Sequence, residues 1–335
     1  MSSPRGKILV IRGGAIGDFI LTLPAIAALR QQFPEVHLEV LGYPHIVQLA
    51  EAGGLVNRVQ AIEARGLAGF FARNGELSED LCDYFSDFNI IVSYLYDPDE
   101  IFKMNIARCS PAQFIVGPHR PDEAADVHAT EAFLKPLERL AIFGADQVPH
   151  LSLVVDESIA RHAPTIALHP GSGSERKNWS ETNWTRLFRE LIDQSTFNLL
   201  LVGGEAEGDR LANYARVLPA ERVRVARSLP LKELARQLKD CAGFIGHDSG
   251  ITHLAAAVGL PTLALWAETN MDIWRPLGNN VVLLQGETGI ESLPISRVLE
   301  QVLNLRNGKR FEPDRSRPFR WRASEPPAEF ETSDQ

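Results

Sequence analysis

Four loops carry the residue types that could do chemistry, and each follows a short apolar run. The first reads Arg12-Gly13-Gly14-Ala15-Ile16-Gly17-Asp18. Its glycines, Gly17 among them, let another molecule approach the backbone, and they set Asp18 at the start of an expected helix. Asp18 can cap that helix, or it can stand at a cleft mouth and take a proton from a sugar hydroxyl. The second loop runs His169-Pro170-Gly171-Ser172-Gly173-Ser174-Glu175-Arg176-Lys177-Asn178-Trp179. The small residues, Ser172 and Ser174 included, leave backbone N–H groups free for an anion, and Lys177 or Arg176 can add positive charge. A plain surface loop fits the same residues.

The third loop, Gly203-Gly204-Glu205-Ala206-Glu207, offers a carboxylate that can accept two hydrogen bonds from a ribose diol. A first-turn helix acid is the alternative. The fourth is Gly246-His247-Asp248-Ser249-Gly250-Ile251-Thr252-His253, leading into a helix of small residues. The unpaired N–H groups of that first turn and the positive end of the helix dipole suit a diphosphate. Asp248 repels phosphate, so its natural partner is a hydroxyl. His253 lies one turn in and either faces a ligand or fills the core.

The elements that must position these loops alternate along the chain. Strands are expected at 7–12, 37–41, 58–62, 88–93 and 113–116, with a helix at 18–32 kinked early by Pro24. A second series starts after 150–155, with strands at 165–169, 198–202, 222–225, 243–246, 262–266 and 281–284. Between them, Trp184, Leu187, Phe188, Leu191 and Ile192 line one face of a helix over 181–194, with Ser180 at its N-cap. Pro230 suits the first turn of another helix over 231–238. Alternating β and α implies parallel strands with right-handed crossovers. The fold class is therefore α/β, with two doubly wound units facing across a cleft. Residues 1–155 form the first, 156–164 a polar linker and 165–305 the second, leaving a tail over 306–335.

A dinucleotide fingerprint fails in the first loop. Arg12 stands where the first glycine of G-x-G-x-x-G belongs, and Gly42-Tyr43-Pro44, with no acid, follows the second strand. That argues against a nicotinamide dehydrogenase. The Gly-Lys-Ser/Thr of a phosphate-binding P-loop is also absent. With 335 residues and a net charge of −9, the chain is long enough for two cores and too acidic overall to attract nucleic acid. Cys82, Cys109 and Cys241 are far apart in sequence and form no C-x-x-C pair, as expected of thiols in a reducing cytoplasm. No signal-peptide core or membrane-length apolar run is visible. Residues 306–322 differ in charge, with seven Arg/Lys against two acids, interleaved with Phe311, Phe319 and Trp321. That segment is a solvated tail or a peripheral contact with an anionic membrane surface; the acidic end beyond it has the composition of a disordered segment.

Taken together, the four loops resemble those of the glycosyltransferase family 9 heptosyltransferases, the ADP-heptose:lipopolysaccharide transferases. The matching segments are KILVIRGGAIGDFILTLPAIAALR, IALHPGSGSERKNWSETNW, LLLVGGEAEGDRL and FIGHDSGITHLAAAVGLPTLALW. The resemblance implies the GT-B fold of two Rossmann-like domains, with acceptor on the first and nucleotide sugar on the second. It implies Asp18 as general base for inverting transfer, and Lys177 near the donor phosphates. Glu205 is implied on the ribose, Asp248 on the heptose, Ser249 and Gly250 amides on phosphate, and His253 in the donor site. It also implies no metal ion and no cofactor, an ADP-heptose donor, a lipopolysaccharide core acceptor and work in the cytoplasm, at the inner face of the membrane where the tail touches it. Ser180 departs from the family's usual proline, and Trp266-Ala267-Glu268-Thr269-Asn270 from its glycine-proline-threonine stretch. An epimerase or hydrolase of the same fold, consuming donor without acceptor, and a non-catalytic sugar-nucleotide-binding assembly protein are the other readings.

Overall fold

The computed structural model describes residues 6–153, 164–205, 207–306 and 310–312, and in it the apolar runs form two parallel sheets. The first domain contains β1 (Lys7–Arg12), α1 (Ile16–Gln32), β2 (His37–Gly42), α2 (Pro44–Ala52), β3 (Arg58–Ala61), α3 (Glu79–Ser86), β4 (Ile90–Ser93), α4 (Ile101–Ala107), β5 (Gln113–Val116) and α5 (Ala129–Leu134). Its strand order is β3-β2-β1-β4-β5.

The second domain contains β6 (Thr165–His169), α6 (Glu181–Gln194), β7 (Asn198–Gly203), α7 (Arg210–Arg216), β8 (Val223–Arg227), α8 (Leu231–Lys239), β9 (Gly243–His247), α9 (Gly250–Ala257), β10 (Thr262–Trp266), α10 (Met271–Trp274), β11 (Val281–Gln285) and α11 (Ile295–Arg306). The order there is β11-β10-β9-β6-β7-β8. Both sheets reverse direction of winding beside their first strand, between β1 and β4 and between β6 and β9. Such switch points open a crevice at the carboxyl ends of the strands.

The central strands are mostly apolar because helices cover both faces. Every residue of β6, β9 and β10 is buried, whereas the edge strand β8 exposes three of five. One apolar layer covers the first sheet around Phe70, Phe85 and Phe102. Another covers the second around Trp184, Phe188 and Leu201. The third is shared: it runs from Ile20 and Leu23 of α1 through Leu254 and Ala255 of α9 to Val202 and Leu234, so the domains have one continuous core between them. The Leu151 N–H donates to the Ala257 carbonyl at 2.8 Å, and the His128 ring bonds the Arg275 carbonyl at 2.9 Å, closing the same seam.

Several sequence expectations shift. Helix α1 begins at Ile16 and not at Asp18, and contains Pro24. Residues 150–153 form no strand. The expected linker, except Pro164, and the tail beyond Glu312 lie outside the described residues. Phe311, counted among aromatics that could meet a membrane, is buried in the core of the second domain. No helix among the described residues is long and apolar enough to cross a membrane.

The seam depends on two glycines in contact. A Cβ on Gly250 would stand 2.7 Å from Ile16 Cβ and 2.9 Å from the Gly17 nitrogen. Gly→Ala stabilises an unconstrained helix, but here the new methyl has no room. Gly250→Ala should therefore lower stability by about 1–3 kcal/mol, read as a lower urea midpoint.

Candidate active site

The site grows from the ends of β1 and β6, the strands at the two switch points. In the first domain, Arg12 closes β1 and is only 2% exposed. Its guanidinium lies 4.5 Å from the Phe133 ring centroid and donates to the backbone oxygens of His119 (2.8 Å), Tyr94 (3.3 Å) and Asp18 (3.3 Å). Burial pushes its pKa down and the Asp18 carboxylate pushes it back up. One Asp18 oxygen, Oδ2, accepts the Ala15 N–H at 3.0 Å, which caps α1 from its third position. The other, Oδ1, lies 3.8 Å from Arg12, and the side chain remains 24% exposed. The cap thus engages one oxygen, and the other faces the guanidinium. Gly14 makes the turn possible: its φ is +94°, and a Cβ there would meet Asp18 Oδ2 at 2.9 Å.

Across the seam, a cavity of about 320 Å³ opens over the ends of β6, β7 and β9. Its apolar end is lined by Val202, Ala226, Leu229, Leu231 and Leu234. Its polar end is formed by Ser172, Ser249 and Gly250, with Ala15, Ile16 and Gly17 arriving from the first domain. The N-termini of α1 and α9 therefore meet at one wall, and both present positive dipole ends to whatever fills it. Ser249 caps α9 by accepting the Thr252 N–H at 3.4 Å.

Glu207 also lines the cavity. It is buried, accepts the Gly204 N–H at 2.5 Å and faces His169 Nε2 at 3.8 Å. Gly171 yields it room, since a Cβ there would overlap the Glu207 carboxylate. Glu205, expected from the sequence to hold a ribose, is exposed and does not line the cavity. Glu207, two residues on, does line it. Ser174 is also outside the lining; its backbone N–H and carbonyl both bond the Ser172 hydroxyl, which shapes the loop.

Lys177 and Asp248 come together as an ion pair, Nζ to Oδ2 at 2.5 Å, and the same oxygen accepts the Thr269 hydroxyl at 2.6 Å. His253 is buried beside them. Burial pushes its pKa down to about 4, against the pull of Asp248 and Asp18. That shared field places Asp18, Asp248, Lys177 and His253 in one cluster spanning both domains. Four residues here escaped the sequence reading in these roles: Arg12, Glu207, His169 and Thr269. A charge closing an apolar run, as Arg12 does, was the available signal.

Two parallel-sheet domains joined at their switch points, with a lined cavity between them, make up the GT-B fold. Residues 143–294 match the sequence model of glycosyltransferase family 9 (heptosyltransferase). Over 79% of its length the chain is 22% identical to lipopolysaccharide heptosyltransferase 3 of Escherichia coli (strain K12), of which it covers 84%. In fold it is similar to the glycosyl transferase family 9 protein from Veillonella parvula DSM 2008, with a TM-score of 0.74 at 16% identity, covering 92% of this chain and 99% of that one. It is also similar to the E. coli heptosyltransferase WaaC with ADP, with a TM-score of 0.69 at 17% identity, covering 89% and 99%. The family model thus matches the second domain, and the relatives extend the likeness over most of the chain.

The buried histidines make stability depend on pH. His247 accepts the Trp179 N–H at Nε2, so its ring is neutral, and burial holds its pKa at about 3. His169 and His253 are each held at about 4, below the ordinary 6.5, again by burial. Between those values the unfolded chain binds more protons, so stability is full above pH 6.5 and falls as pH drops toward 4. Urea midpoints should decline from pH 7 to pH 5, and His253→Gln should flatten that decline.

Proposed function

We propose that this protein transfers heptose from ADP-heptose to a lipopolysaccharide core acceptor, with inversion and without a metal ion. The observation that carries the reading is one cavity lined by apolar side chains of the second domain, by Glu207 and by the first turns of α1 and α9, with Asp18 in that first turn of α1. The apolar end, from Val202 to Leu234, suits a nucleobase. Glu207 suits the two hydroxyls of a ribose. The N–H groups at the start of α9, around Ser249 and Gly250, suit the diphosphate, and Lys177 lies within one side-chain swing of it. Asp248 is free to accept a sugar hydroxyl through its second oxygen.

In this reading the acceptor binds to the first domain and its hydroxyl oxygen attacks the anomeric carbon from the face opposite the diphosphate. The new C–O bond forms as the bond to the β-phosphate oxygen breaks, and the hydroxyl proton passes to Asp18. A carboxylate is a weak base, so proton transfer comes late and placement supplies most of the effect. Two helix dipoles and Lys177 stabilise the leaving ADP. The likeness to lipopolysaccharide heptosyltransferase 3 supports heptose as the sugar, and the related fold solved with ADP supports the nucleotide.

Asp18→Asn keeps the shape and the cap but removes the proton acceptor. Transfer should fall by roughly 10²- to 10⁴-fold. ADP at 100 times its dissociation constant should still stabilise the variant by roughly 2.7 kcal/mol. The wild-type rate should survive EDTA. Full activity in Asp18→Asn would remove Asp18 from the base role, and stabilisation by UDP or GDP in place of ADP would change the donor.

A further inference from the structure

The crevice at the first domain's switch point contains one more feature that the donor cavity does not use. Tyr96 stands in the loop that leaves β4 and is 71% exposed. Its ring packs against His119, from the loop that leaves β5, with centroids 4.6 Å apart. The loop that leaves β4 lies beside the one that leads from β1 into α1 and Asp18, and the loop that leaves β5 lies next beyond it, since β4 pairs with both β1 and β5. Arg12 ties all three: its guanidinium bonds the carbonyls of Tyr94, His119 and Asp18.

The Tyr96 loop is exposed but braced. The preceding Leu95 side chain packs 3.5 Å from where a Cβ on Gly13 would lie. On the other side, both Asp97 carboxylate oxygens accept N–H groups at the start of α4, from Phe102 and Lys103, at 3.1 Å each. A braced tyrosine has only two side-chain torsions to lose on binding, so it can offer a flat face at small entropic cost. The face of its ring carries partial negative charge, which complements the polarised C–H groups on one face of a pyranose.

We propose that Tyr96, backed by His119, is the platform on which a neutral pyranose ring of the acceptor stacks, orienting its hydroxyl toward Asp18. This rests on the transferase reading above, and it assigns to the first domain a specific acceptor contact. Tyr96 binds and orients; it takes no part in bond making. Its hydroxyl is not required, because the ring face makes the contact.

The test uses full-length protein and deacylated lipopolysaccharide core oligosaccharide as probe, read by saturation-transfer difference NMR and by steady-state transfer. Tyr96→Ala should lose the saturation signal and raise the acceptor KM by about ten-fold, with kcat at saturating acceptor and ADP affinity unchanged. Tyr96→Phe should behave as wild type. An acceptor KM left unchanged in Tyr96→Ala overturns the platform, as does a KM raised equally for donor and acceptor. Absence of any saturation signal from the wild-type protein overturns it as well. If the wild type binds the oligosaccharide through Tyr96 but moves no heptose onto it, the transfer reading falls and the platform stands.

Discussion

The contact between Gly17 and Gly250 is the constraint on which the rest of the molecule depends. It brings the first turns of α1 and α9 within backbone distance of each other, although one belongs to each domain. Any side chain at Gly250 would separate them. Because the two turns follow strands at the switch points of their sheets, the contact fuses two crevices into one cleft. It also aligns two sets of unpaired N–H groups on a single wall. A cleft built this way favours an anion between the domains before any lysine is considered.

Two of the three carboxylates inside that cleft face a cation, and the third faces a histidine. Arg12 faces Asp18, Lys177 holds Asp248, and Glu207 sits against a His169 kept neutral by burial. Glu207 has no Lys or Arg partner in this set and accepts the Gly204 N–H instead. A buried carboxylate in that state gains from two hydroxyl donors. Asp18 differs: its cap oxygen is committed to α1, and its other oxygen is turned toward a buried guanidinium fixed by three carbonyls. Asp18 is thereby held in a fixed position, which is what the base role proposed for it requires.

Much of the architecture was legible in the residues, and the reasons are physical. The runs at Lys7–Arg12, Thr165–His169 and Thr262–Trp266 are buried on both faces, so their ends are marked by the first polar or turn residue. Ser180 and Ser249 cap their helices as their positions suggest. The start of α1 was not legible, because Ala15 occupies the N-cap and the capping carboxylate reaches back from Asp18. Nor was the choice between Glu205 and Glu207. Both follow the same strand, and the space that admits Glu207 is created by Gly171, from another loop. Arg12 hid for the same reason, since the carbonyls it bonds lie at Tyr94 and His119. Long-range partners decided each case.

The central claim is that one nucleotide diphosphate is held by helix N-termini from both domains. Hydrogen–deuterium exchange with and without saturating ADP tests it most directly. The account predicts slower exchange on ADP binding at amides 249–251 of α9 and, in the same experiment, at amides 16–18 of α1. Protection confined to the second domain, or absent from both turns, would contradict it.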